Sequence, residues 1–178
     1  GVRGISEESE RERNLVAARR AERFELLNMC DLWCQQLDPN RHHDDERAAL
    51  ADYMDSLRSL TFRIEALGDA RDRYAGGQLI ATPAANCCKL SLDALETTRR
   101  MIGGTTRAAS IDVLATEDEF RAVLEPEHHR AHAETGISDS FREALTLTGY
   151  YCALADAVGE CQQRAKAIDW RGWEAARF

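Results

Sequence analysis

The chain has 178 residues, 44% of them hydrophobic and 30% charged, with a formal net charge of -8 from 31 acidic and 23 basic side chains. That length suits a single domain spanning residues 1–178 whose folding buries roughly 70% of the unfolded surface, and the apolar content excludes a disordered chain. The excess of acid is repelled by phosphate backbones and anionic lipid, which argues against nucleic acid as a partner.

Six cysteines are present, but a chain with its own core needs no disulfide staple, and they read as reduced thiols in a cytosolic setting. The longest apolar runs, such as Ala48 to Ala51, fall far below the roughly 20 residues that span a bilayer, so direct bilayer insertion is not expected. The opening "GVRG" without an initiator methionine is expected of a piece of a longer protein.

In chain order, the first predicted helix runs from about Glu7 to Gln36. Its first half is charged on every face, and a stripe of Leu26, Cys30, Trp33 and Leu37 appears only later. Pro39 breaks it, and Asp44 or Asp45 is placed to cap the second helix. That helix carries Leu50, Tyr53, Leu57, Leu60, Ile64 and Leu67 at alternating steps of three and four, and the glycines of "YAGG" are expected to end it in a left-handed turn. A third helix starts near Pro83, carries Cys88, Leu92, Leu95 and Ile102, and stops at Gly103-Gly104.

The stretch "TTRAASIDVLA" is ambiguous and reads as loop with room for a short turn. Thr116 and Glu119 then have the spacing of a capping box, and Pro126 is expected to interrupt or restart the helix that follows before Gly136 ends it. After "ISDSF" comes the longest seam: Ala144, Leu147, Tyr151, Leu154, Val158, Cys161, Ala165 and Ile168, with a second stripe of Phe141, Leu145, Cys152 and Ala155. This should be the most buried helix. With no sustained alternation of period two and only three prolines, the fold class is all-α: an antiparallel bundle of four long helices plus a shorter helical excursion.

Several side-chain groups invite a chemical reading. Cys30 and Cys34 lie one turn apart, but Cys30 belongs to an apolar stripe, and Cys87 and Cys88 point in different directions on a helix, so core packing accounts for them better than zinc does. Cys152 and Cys161 fall on stripes too. Glu125, His128 and His132 supply one Glu-x-x-His where a di-iron bundle needs two, and a solvated face is the simpler reading. His42 and His43 are expected at the surface, and Asp44 and Asp45 read as helix-start acids rather than a magnesium site. There is no phosphate-binding glycine loop, nucleophile elbow or zinc-protease motif. The sequence therefore points to no enzyme, and to no catalytic, cofactor-binding or metal-binding residue.

The last eleven residues, "IDWRGWEAARF", hold two of the three tryptophans. Trp170 and Trp173 are three apart and share a face on a final helical turn, so a lid over the bundle end is expected, with a docking surface as the other option. This tail, ending in arginine-phenylalanine, resembles the C-terminus of the fusaric acid resistance family of bacterial membrane proteins, also called aromatic acid exporters. "LADYMDSLRSLTFRIEAL", Leu50 to Leu67, is similar in character to their helical regions outside the membrane. The resemblance implies a cytoplasmic helical domain of an inner-membrane efflux protein for aromatic or weak organic acids. It would act through oligomer contacts or gating, with its own membrane domain and further copies of itself as partners. The alternative is a stand-alone ligand-binding or metal-binding bundle.

Overall fold

The computed structural model describes residues 2–37, 43–104, 112–133 and 136–175, with side chains described outside 2–13, 16, 114, 131–133 and 173–175. Among the described residues six α-helices follow one another: α1 (Val2–Gln35), α2 (Asp44–Arg73), α3 (Ala81–Ile102), α4 (Val113–Ala133), α5 (Asp139–Lys166) and the short α6 (Trp170–Ala175). A 3-10 turn at Ala75–Gln78 lies between α2 and α3. No strand occurs among the described residues, and the fold is an all-α helical bundle. The chain divides into two compact units, Gly1–Met54 and Asp55–Phe178, and the boundary falls inside α2.

In the first unit, Leu26, Met29, Leu32 and Trp33 of α1 are all exposed, Trp33 by 63%, while Cys30 and Cys34 are half-buried. The break near Pro39 lies outside the described residues. At the start of α2 it is Glu46, not Asp44 or Asp45, that reaches back, its carboxylate accepting from the His43 N–H at 3.1 Å. A glutamate at the third helical position has the reach to satisfy that free amide, while the two aspartates complement the positive helix end.

In the second unit α5 is the central element, packed against α3, α4 and the 3-10 turn. Every member of its long seam, from Ala144 to Ile168, is buried. Leu145 of the second stripe is exposed instead, because it turns away from the packed neighbours. Ser138 caps α5 by accepting from the Phe141 N–H at 3.2 Å. The helix stops at Lys166, so Ile168 lies in a break before α6 rather than on a continuous last turn.

On α3 the buried face is rotated from the expected one. Ala84, Cys87, Ser91, Ala94 and Thr98 face inward, whereas Cys88, Leu95 and Ile102 are half-buried and Leu92 is 67% exposed. Small side chains let two helix backbones approach closely, and the Thr98 hydroxyl buries at little cost because it donates to the Ala94 carbonyl at 2.9 Å. On α2 the inward face likewise takes Ser56, Leu60, Thr61, Leu67 and Ala70, leaving Ile64 exposed.

Three local expectations are corrected. The "YAGG" glycines do not take positive-φ backbone; they enter the 3-10 turn, and among the described residues positive φ falls to Gly104 after α3, at 74°, and Gly136 before α5, at 149°. The α4 helix begins at Val113, before Thr116, and is capped by Asp112, whose carboxylate accepts from the Ala115 N–H at 3.0 Å while Thr116 donates back to the Asp112 carbonyl. Pro126 does not interrupt α4, which continues through it to Ala133 with the loss of one intrahelical hydrogen bond.

Candidate functional site

The geometry that builds a concave surface starts at Gly76. A Cβ there would stand 2.5 Å from the Ser140 carbonyl oxygen and 2.7 Å from the Ala144 nitrogen, so only glycine lets the 3-10 turn lie directly on the first turns of α5. The Gly76 N–H donates to the Glu143 carboxylate at 2.9 Å, fixing that contact. Two further hydrogen bonds pin α3 to α5: the Cys87 thiol donates to the Tyr151 carbonyl at 3.6 Å, and the Gln162 side-chain amide donates to the Ala94 carbonyl at 3.0 Å.

Between these fixed points an open groove of about 770 Å³ remains. Its small-residue wall is Ala81, Ala84 and Ala85 of α3, and Leu147 and Tyr151 of α5 also line it. Tyr74 and Arg71, at the end of α2, stand at one side, and Cys88, Lys89, Leu92 and Asp93 continue the α3 wall. The Tyr151 ring is held from behind by Phe120 of α4, with ring centroids 5.7 Å apart. Burial raises the Tyr151 phenol pKa, opposed by the positive charge of Arg71, so the hydroxyl stays a neutral donor at neutral pH.

The groove's charges differ in sign from those of the whole chain. Arg71 and Lys89 against Asp93 leave a surplus of one positive charge in a chain whose net charge is -8. Lys89 and Asp93 are one turn apart without an ion pair, and Arg71 likewise forms none among the described residues. The volume falls within the range of small-molecule sites, as does the pairing of apolar walls with a few polar groups.

Of the side chains singled out in the sequence, Cys87, Cys88 and Cys152 lie near enough to influence one another's charge, and Cys88 lines the groove. All six cysteines are free; Cys87 and Cys161 are buried, while Cys88 and Cys152 are half-buried. Burial, followed by the charge of Cys88, pushes the Cys87 thiol up to about 11, and burial also raises Cys152 and Cys34. His128 is exposed with its ring 6.4 Å from that of Phe141, and the carboxylate of Glu125 approaches His129 instead, at 4.0 Å. The His132 side chain and all of His42 lie outside the described residues, and His43 is exposed. Among the described residues no three His, Cys, Asp or Glu side chains are grouped to hold a metal.

At the C-terminus Ile168 is buried, and the half-buried Trp170 donates its indole N–H to the Ala165 carbonyl at 2.8 Å. That bond satisfies one of the last carbonyls of α5. Asp169 caps α6 by accepting from the Gly172 N–H at 3.2 Å. The Trp173 side chain and Phe178 lie outside the described residues.

Sequence spacing did not indicate the groove, because its lining comes from α2, the 3-10 turn, α3 and α5. The one local signal was a tyrosine before paired glycines, followed by alanines on one helix face. No helix among the described residues is long and apolar enough to cross a membrane. Set beside known proteins, the chain matches no family model, no curated protein and no solved structure.

Proposed function

We propose that the chain is a helical domain of a bacterial membrane efflux protein for aromatic or weak organic acids. It lies on the cytoplasmic side of the inner membrane, joined to its own membrane domain, and has a structural, oligomerisation or gating role rather than a catalytic one. The observation that carries the reading is the tail. The segment with the most specific resemblance, "IDWRGWEAARF", begins where the α5 seam ends, and Ile168 and Trp170 attach it to that helix. A rigid central helix with an attached end is suited to passing a displacement from one end of a bundle to the other.

The test is genetic and direct. The reading frame upstream of Gly1 is expected to encode several apolar segments of about 20 residues each. Removing this domain from the whole protein should then abolish efflux of a preloaded aromatic acid while the membrane part still inserts. A reading frame without such segments would overturn the proposal. The second reading, a stand-alone ligand-binding bundle, is favoured by the groove of about 770 Å³ and would gain from that outcome.

A further inference from the structure

We propose that α3 pairs antiparallel with α3 of a second copy of the chain, through an apolar seam that its own bundle leaves uncovered. The inference concerns the unit Asp55–Phe178 alone and does not rest on the efflux reading.

Helix α3 carries two stripes. One, Ala84, Cys87, Ser91, Ala94 and Thr98, is buried in the bundle. The other runs from Ala81 through Ala85, Cys88, Leu92 and Leu95 to Ile102, at steps of four, three, four, three and seven. That is the heptad repeat by which two helices supercoil. None of its members is buried: Leu92 is 67% exposed, Ala81 and Ala85 are exposed, and Cys88, Leu95 and Ile102 are half-buried. The groove lies along the first four of them, so open space adjoins the seam.

Side-chain size sets the direction of the pair. The seam is tapered, with alanines at its N-terminal end and leucine and isoleucine towards its C-terminal end. When Leu92 is layered on Leu95 of the second copy with the helices antiparallel, the same register brings Ile102 of the second copy to Ala85, where the groove has room for it. A parallel pair would instead lay alanine on alanine and set Arg99 against Arg99 of the second copy.

Charge selects a second copy over a foreign helix. Lys89 and Glu96 stand one heptad apart on the same flank of the seam, and in the antiparallel register each comes beside the other residue of the second copy, twice over. Such self-complementarity is what a two-fold interface requires. Lys89 forms no ion pair among the described residues. Glu96 accepts three hydrogen bonds from Arg99 and Arg100, and an ionised carboxylate takes about four, so one site remains for the lysine. The 22 residues of α3 span about 33 Å, and a strip about 12 Å wide gives roughly 800 Å² for the pair. Covering Arg71 and Tyr74 at the groove's edge brings this near the about 1,000 Å² of a specific interface, which sets a reversible dimer rather than an obligate one.

The experiment is sedimentation velocity on the 178-residue chain from about 5 to about 500 µM. A shift from the mass of one chain to that of two is expected across this range. Leu92→Glu should remain a single chain throughout. Lys89→Glu and Glu96→Lys should each weaken the dimer by roughly tenfold, because two attractive contacts become repulsive. An equimolar mixture of those two variants should recover the wild-type dimer, since the mixed pair again sets lysine against glutamate on both sides. None of the three positions is buried, so an unchanged helical circular dichroism signal shows that each variant folds. The proposal is overturned by any of three results: a single chain at every concentration, a dimer that survives Leu92→Glu, or a mixture that associates no better than its components. Because the assay uses no membrane, its failure leaves the efflux reading standing. Conversely, an upstream frame without apolar segments leaves the dimer standing.

Discussion

Adjacent glycines at 76 and 77 should respond to the same substitution in opposite ways. In Gly76→Ala the new methyl would meet the Ser140 carbonyl oxygen at 2.5 Å, the Ala144 nitrogen at 2.7 Å and the Glu143 Cβ at 2.7 Å. Two of these are main-chain atoms inside α5, which cannot swing aside as a side-chain tip can. The 3-10 turn must lift instead, straining the packing by about 1–3 kcal/mol and weakening the Gly76 N–H bond to Glu143, worth about 1.5–3 kcal/mol as a bond to a charged acceptor. A total near 3 kcal/mol corresponds to a fall in thermal midpoint of roughly 6–12 °C for a domain of this size. Gly77→Ala places its methyl 3.6 Å from Leu147 Cδ1, an ordinary contact, on backbone that alanine adopts freely. It should be neutral or raise stability by about 0.4–1 kcal/mol through the lost freedom of the unfolded chain. Thermal unfolding followed by circular dichroism on the pair gives the comparison. A Gly76→Ala protein that melts with the wild type would refute the close approach on which the groove's geometry depends.

Other substitutions probe the rest of the packing. Phe120→Ala removes a ring that is 1% exposed and stacked on Tyr151, and should cost about 3–5 kcal/mol in urea unfolding; a cost below ~1 kcal/mol would contradict its central position. Trp170→Phe keeps an aromatic side chain but loses the bond to the Ala165 carbonyl and part of the indole's packing, and a loss of at least about 1 kcal/mol is expected, while an unchanged midpoint would show that the tail does not help to hold the end of α5. The buried Cys87 thiol has a folded pKa of about 11 against an ordinary 9.0, so the folded state holds its proton more tightly. Its share of stability is complete below pH 9.0 and declines as pH rises towards 11; a Cys87→Ala variant should lose less of its midpoint over that interval than the wild type, and parallel curves would contradict the shift.

The parts of this fold that the sequence revealed are those where side-chain size and burial coincide. On α5 the large residues Leu147, Tyr151, Leu154 and Val158 recur at steps of three and four, and all are buried. On α3 the same reasoning chose Leu92 and Leu95, whereas the inward face is made of Ala84, Cys87, Ser91, Ala94 and Thr98. Periodicity weighted by hydrophobic size misses a face that packs by close backbone approach, because the residues permitting that approach are the smallest ones. Helix starts show a similar limit: Thr116 and Glu119 have capping spacing, yet Asp112 has the cap, since several polar residues compete for a role only the folded backbone assigns.

The error on α3 and the missed groove have one origin. Ala84 is buried towards the bundle and also lines the groove, and Ala81 and Ala85 leave open the space that longer side chains would have filled. The absence of bulk that hides the packed face of α3 from a hydrophobicity pattern is what leaves about 770 Å³ beside it. Neither feature follows from the α3 sequence alone, because each requires Gly76, 67 positions before Glu143, to set the 3-10 turn against α5. A sequence search for related grooves would therefore need to ask for three things together: a glycine tolerating no Cβ, an alanine face one turn further on, and an arginine in the last helical turn before the glycine.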